Sequence, residues 1–164
     1  MKIQIISPVP ARIIDEATIV SDGSGNYSGN TTKNVSQTTL WGNYGSIFTQ
    51  FKIKKIRVTL LPIGGDIAGI LGIQSEHIQD ETPASAPTVF NTFVEDNEGP
   101  SKHVIPANRK VSFLVPIRDQ NEWYDMSNES TNQKSEIVNY LVGEYLPVST
   151  AIYKLLVQWD IVFR

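Results

Sequence analysis

Apolar and polar residues alternate most cleanly at the end of the chain. From Thr150 to Arg164, Tyr153, Leu155, Val157, Trp159, Ile161 and Phe163 share one side, and Lys154, Gln158, Asp160 and Arg164 share the other. A period of two marks a strand with one buried face. The stretch Phe51 to Ile63 has the same period with one fault. Ile56, Val58 and Leu60 alternate with Arg57, Thr59 and Leu61, but Phe51 and Ile53 fall on the opposite phase, so the register breaks at Lys54-Lys55. A helix is the rival reading, yet β-branched residues dominate and Pro62 bars continuation. A bulge at the paired lysines restores one apolar face of Phe51, Ile53, Ile56, Val58 and Leu60 and leaves the other face strongly basic.

The remaining segments are shorter. Residues 1–16 carry apolar pieces interrupted by Pro8 and Pro10 and read as an extended arm or edge strand, with the main domain over 17–164. Ala17 to Ser21 is a strand closed by the turn Asp22-Gly23-Ser24-Gly25, and polar Tyr27 to Ser36 is a weak strand. Leu40, Tyr44, Ile47, Phe48 and Phe51 sit at helical spacing, which predicts a short helix over Leu40–Gln50. Strands are expected near Ile67–Ile73, Lys102–Ile105, Lys110–Ile117 and Glu136–Leu146, the last of mixed pattern, with a helical turn in Thr88–Val94. Gln120 to Ser135 reads as a long polar loop holding only Trp123, Tyr124 and Met126. About eight strands with long connections and no βαβ alternation predict a single all-β domain, a Greek-key sandwich or jelly roll.

Composition narrows the chemistry. The 164 residues suffice for one domain with a real core, and 40% hydrophobic with 19% charged content is that of a globular chain. There is no cysteine, hence no disulfide, thiolate metal site or Cys nucleophile. The two histidines, His77 and His103, cannot supply the His cluster of a cupin-type metal enzyme, and no Gly-X-Ser-X-Gly occurs. No apolar run approaches the ~18–20 residues that span a membrane, and the first ten residues hold too short a run for a secretory signal. No enzyme activity, cofactor, metal or membrane insertion is expected. The net charge of −3 argues against a chain that is basic overall, so the concentration of Lys52, Lys54, Lys55 and Arg57 in one strand stands out.

The order of these landmarks carries a resemblance. A Ser/Gly/Thr-rich strand pair precedes Trp41 at the start of a short helix, then Phe51-Lys-Ile-Lys-Lys-Ile-Arg-Val-Thr-Leu-Leu-Pro. An Asp80-Glu-Thr-Pro loop, Asn108-Arg-Lys-Val-Ser-Phe-Leu-Val-Pro, Trp123 and Lys154-Leu-Leu-Val-Gln-Trp-Asp-Ile-Val-Phe-Arg follow. Over roughly residues 17–164 the chain resembles the single jelly-roll coat proteins of small icosahedral viruses. The nearest groups are circular single-stranded DNA viruses and related small plant RNA viruses and satellites. The resemblance implies an eight-stranded antiparallel jelly roll, strands B to I in two facing sheets, with Phe51–Leu61 as strand D and Thr150–Phe163 as strand I. It implies a virion protein whose partner is itself, in a T=1-like shell of about sixty copies, and a single-stranded genome. Such proteins usually begin with a basic arm, whereas residues 1–32 hold only Lys2 and Arg12 as cations. Either the folded shell neutralises the genome, the chain is trimmed, or nucleic acid is not packaged directly.

Candidate residues follow from both readings. Lys52, Lys54, Lys55 and Arg57 are the candidate nucleic-acid contacts; the plainer reading is a solvated strand face. Lys52 and Lys54 share a face by simple alternation, and Lys55 joins Arg57 only across the bulge, so about half would reach one side. Few aromatics lie near in sequence, which leaves little for base stacking. Trp123, Tyr124, Met126, Val89 and Phe90 are apolar residues in polar surroundings, where a lone subunit gains little from them, and are expected between subunits. Loop carboxylates Asp80, Glu81, Asp96, Glu98, Glu122 and Asp125 are better read as solvated than as a Ca²⁺ site. Trp159 belongs to a core face; a glycan-binding jelly roll is the alternative in which Trp123 would meet sugar. Asn26, Asn30, Asn34 and Asn128 sit in formal glycosylation sequons but read as plain Asn/Thr-rich loops.

Overall fold

The computed structural model describes residues 7–64, 67–79, 85, 88–95 and 102–164. Its strands are β1 (Val9–Val20), β2 (Tyr27–Lys33), β3 (Gln50–Pro62), β4 (Ile70–His77), β5 (Lys102–Pro106), β6 (Val111–Val115), β7 (Tyr124–Asp125), β8 (Ile137–Glu144) and β9 (Ala151–Phe163). The helices are α1 (Thr39–Gly45), α2 (Phe90–Glu95) and α3 (Met126–Thr131), with a 3₁₀ turn at Val35–Gln37. One sheet runs β1-β9-β3-β6, with β7 paired to the start of β3; the other runs β2-β8-β4-β5. Every pairing is antiparallel. Labelled B to I with the two-residue β7 left out, these paths are B-I-D-G and C-H-E-F, a jelly roll with one strand more than the expected eight. β3 and β9 take the positions expected of strands D and I.

The alternation in β9 is the centre of the core. Tyr153, Leu155, Val157, Trp159 and Phe163 are fully buried and Ile161 nearly so, while Lys154 is exposed. Trp159 Nε1 donates to the Ser135 carbonyl oxygen at 3.0 Å, so its one polar atom is satisfied inside. In β3 the pairing with β9 passes from Ile53↔Ile161 to Lys55↔Asp160, skipping Lys54. This is the expected bulge, and Phe51, Ile53, Ile56, Val58 and Leu60 are all buried on one face.

Three segments differ in kind from the sequence pattern, each for a physical reason. The first strand runs unbroken through Val9–Val20, so residues 9–16 and 17–20 form one sheet edge, paired to β9 along its length. The helix stops at Gly45 rather than Gln50, because the Thr49 and Gln50 N–H groups already donate to the Arg164 carbonyl oxygen. Its inward stripe is aromatic: Trp41 packs edge-on to Phe51 at 5.0 Å and Tyr44 stacks on Phe163 at 4.5 Å, while Leu40 and Ile47 are exposed. The expected loop Gln120–Ser135 contains β7 and α3. These are too short and polar to leave a periodic trace, and tertiary bonds hold them: Met126 N–H donates to Thr49 O at 2.9 Å, and buried Glu129 accepts from Ser135 N–H at 2.7 Å. The mixed pattern of β8 reflects burial on both faces. Ile137 and Leu141 enter the main core, and Val142 lies under Phe90 and Phe93 of α2.

Gly72 of β4 makes that cover possible. A Cβ there would lie 2.4 Å from a ring carbon of Phe93, so only glycine lets α2 lie this close to the sheet. The outer face of β2-β8-β4-β5 is thus partly roofed by α2. Among the described residues, no helix lies on the outer face of the other sheet.

His77 fastens the far end of β4. Its Nδ1 accepts the Arg118 N–H at 3.1 Å, which leaves Nε2 to donate to the Lys134 carbonyl oxygen at 2.6 Å. Burial lowers its pKa, the Lys134 carbonyl opposes this, and the charges of Arg118 and Lys134 lower it further while Asp119 raises it.

Two outcomes are expected. Val157→Ala should cost about 1–3 kcal/mol in denaturant unfolding and Lys154→Ala no more than about 0.5, because only the first opens a cavity. Equal costs would overturn the register. For His77, the unfolded chain protonates near the ordinary value of about 6.5 while the folded chain stays neutral. The unfolded state therefore binds more protons below that pH, and stability falls as the pH drops through it. His77→Gln should flatten the fall between pH 7.5 and 5.5; equal slopes would show that His77 plays no part in it.

Candidate nucleic-acid interface

The unroofed face is built by the parity of three strands. On β9, the partners of the core residues are Lys154, Leu156, Gln158, Asp160 and Val162, with Arg164 following. Opposite them on β3 stand Leu61, Thr59, Arg57, Lys55 and Lys52, each in register with an outward β9 residue. The bulge corrects the expectation that only half of the basic residues share a side. Lys52, Lys55 and Arg57 all face outward, and the bulged Lys54 is exposed beside them. β1 adds Arg12, paired with Asp160, and Glu16, paired with Leu156.

This face holds the cations Arg12, Lys52, Lys54, Lys55, Arg57, Lys154 and Arg164 against the carboxylates Glu16, Asp160 and, through β7, Asp125. In a chain of net charge −3 such an excess leaves the remainder of the molecule strongly acidic. Two cations are tied by ion pairs: Arg12 Nε to Asp160 Oδ1 at 2.9 Å and Lys154 Nζ to Glu16 Oε2 at 3.4 Å. Arg57 Nη1 donates to Ser112 Oγ at 3.4 Å, a neutral partner that leaves its charge uncompensated. Among the described residues neither Lys54 nor Lys55 has a hydrogen-bond or ion-pair partner.

Trp123 closes one end of the face. Lys52 Nζ lies 4.9 Å and Arg164 Cζ 4.1 Å from the centre of its ring, an arrangement that holds both cations by the ring's electron-rich faces. Arg164 Nε also donates to Gln50 Oε1 at 2.8 Å, and Gln50 Nε2 to Asp125 Oδ1 at 3.1 Å. An aromatic ring therefore does sit beside the basic cluster, contrary to the sequence expectation. Separated by 71 positions from Lys52, Trp123 gave no local signal. Lys154 and Arg164 were legible from alternation alone, whereas Arg12 is placed only by its pairing with β9.

The other candidates scatter. Tyr124 is buried within the chain, its ring 5.4 Å from Phe51 and its hydroxyl accepting from Gln79 Nε2 at 2.8 Å. Burial, with the nearby Glu122 charge, pushes its phenol up to about 12. Phe90 is buried against Phe93 and Val142, and Met126 packs partly on the core. These three already have partners in their own chain. Trp123 is half-buried and Val89 is exposed. Glu122 and Asp125 are exposed, and Asp80, Glu81, Asp96 and Glu98 lie outside the described residues.

No family model and no curated protein matches the chain. Solved structures do. The capsid protein of the giant freshwater prawn Macrobrachium rosenbergii nodavirus, in a semi-empty VLP, is 13% identical with a TM-score of 0.70, over 99% of this chain and 86% of that one. A T=1 subviral particle of a Penaeus vannamei nodavirus capsid protein deletion mutant is 13% identical with a TM-score of 0.64, over 93% and 96%. The decameric BFDV capsid protein is 12% identical with a TM-score of 0.61, over 96% and 100%. Identities this low show a shared fold: the chain has the jelly roll of viral shell proteins. The likeness extends to tombus-like and cocksfoot mottle virus structures and does not single out the circular DNA group.

The basic face predicts chromatographic behaviour at odds with the overall charge. Despite a sequence pI near 5.4, the protein should be retained on heparin at pH 7 and low salt. Replacing Lys54, Lys55 and Arg57 together with Gln should move elution to clearly lower salt. Flow-through of the parent protein would show that the face does not act as a unit.

Proposed function

We propose that this chain is a coat subunit that self-assembles into a small icosahedral, T=1-like shell of about sixty copies around a single-stranded genome, and that it resides in the virion. The observation that carries the reading is the jelly roll itself, with sheet paths β1-β9-β3-β6 and β2-β8-β4-β5, which superposes over almost the whole chain on viral shell proteins. The role is structural, in keeping with those neighbours, and needs no reaction or cofactor. Exposed apolar side chains favour assembly: Val89, Ile47, Val148 and Tyr145 face solvent in the single chain, the last with 78% of its surface exposed. Trp123 and Val89 are the residues of the sequence-derived interface set left open to a neighbour.

The genome would meet the outer face of the β1-β9-β3-β6 sheet through Lys52, Lys54, Lys55 and Arg57. Of the fourteen Lys and Arg residues, seven stand on this one face. The finer assignment, to circular single-stranded DNA viruses and related small plant RNA viruses or satellites, rests on the order of landmarks from the Ser/Gly/Thr-rich strand pair to the final strand.

Sedimentation and negative-stain microscopy of purified protein test the shell directly. Closed particles are expected; only monomer or dimer across salt and pH would refute it. Trp123→Ala should weaken assembly more than it weakens the fold. Particles of the Lys54, Lys55, Arg57→Gln protein should carry less nucleic acid per shell, and digestion of the parent's released cargo with DNase or RNase identifies which nucleic acid it is. Unchanged cargo in intact shells would assign the basic residues to the outside or to a contact.

A further inference from the structure

The bulge at Lys54 opens a cleft across the basic face. It is lined by Pro10, Ala11 and Arg12 of β1, Asp160, Ile161 and Val162 of β9, and Lys54 of β3. Its volume is about 430 Å³, within the range of small-ligand sites at roughly 300–1,000 Å³, and it is open along the sheet. We infer that this cleft seats one nucleotide unit of a single-stranded nucleic acid, with a backbone phosphate between Lys54 and Arg12 and the sugar and base against Pro10 and Val162.

Three observations converge on that occupant. Lys54 is left out of the β3–β9 ladder, so its backbone projects beyond its neighbours, and bulges are used where a side chain must be re-aimed. Its ammonium has no partner among the described residues, although Asp160, the nearest carboxylate of the cleft, is already held by Arg12 at 2.9 Å and by Gln158 Nε2 at 3.3 Å. The lining also offers Pro10, which has no N–H, and the outward side chain of Val162, an apolar surface suited to a sugar and a base face rather than to a second charge. A free anion would use only the cations. A strand with unstacked bases uses cations and apolar lining together, which a duplex cannot do without opening.

The inference rests on the genome-contact reading above, and the experiment separates the two. Fluorescent ten-residue thymidine and uridine oligonucleotides are titrated into purified protein over a salt series, alone and against a duplex of equal length. Lys54→Gln should weaken single-strand binding about tenfold and lower the salt slope by about 0.7, the loss of one phosphate contact. Asp160→Asn, which removes the competing carboxylate, should tighten binding severalfold, an opposite sign that misfolding would not produce. Lys102→Gln, on the other sheet, should leave it unchanged. Photocross-linking with 4-thiothymidine should map to the peptides around Pro10 and Val162. Equal binding by Lys54→Gln and Lys102→Gln, equal affinity for duplex, or cross-links only elsewhere on the face would overturn the cleft. Absence of closed particles in sedimentation would count against the shell alone, since the titration is read without it.

Discussion

Antiparallel pairing of β3 with β9 runs from Phe51↔Phe163 to Pro62↔Tyr153, and a single extra residue, Lys54, decides which side chains face inward. Side chains in a strand alternate with a strict period of two, so a one-residue slip turns every side chain to the opposite face. Without the bulge, Phe51 and Ile53 would stand among solvent if Ile56, Val58 and Leu60 kept the core. With it, all five are buried, and the helix α1 can lay Trp41 on Phe51 and Tyr44 on Phe163. The closed end of the core, the placement of β7 against Phe51 and the collection of basic residues on one side all depend on that local irregularity.

The two sheets solve the same problem differently. Each must bury one face against the other; what lies on its outer face is free to differ. The β2-β8-β4-β5 sheet accepts α2, and pays with Gly72 and with apolar Val142 on the outside of β8. The β1-β9-β3-β6 sheet has Leu156 and Val162 outside, where no described helix covers them, and surrounds them with charge. The bulge that the core requires also leaves Lys54 exposed on this face, beside Lys52, Lys55 and Arg57.

Legibility in the sequence followed the range of the interaction. β9 was plain because one core face and one solvent face alternate over its whole length, and β3 because Phe51 and Ile53 lie in the wrong phase by one residue, which points to a bulge. β8 was blurred because Val138, Tyr140 and Val142 are buried as well as Ile137, Asn139 and Leu141, so the contrast between faces disappears. β7 and α3 were missed since bonds to Thr49 and Ser135, not their own pattern, place them. At the candidate interface, Lys52 to Arg57 announced itself as a run. Arg12, distant by 148 positions from its partner Asp160, and Trp123 could be assigned only once strand pairing was known.

The charge distribution links the two parts of the proposed function. A subunit with its cations gathered on one sheet face and its acids spread elsewhere can approach a second copy most easily by setting unlike surfaces together. A closed shell orients every copy alike, so faces that point inward in one subunit point inward in all. If this face lies inside, on the order of 240 uncompensated positive charges would line a shell of about sixty copies, and their mutual repulsion would oppose closure. A single-stranded polyanion removes that repulsion while releasing its own counterions. In this arrangement the rigid sheet takes part in neutralisation, and closure of the shell and uptake of nucleic acid become one electrostatic equilibrium.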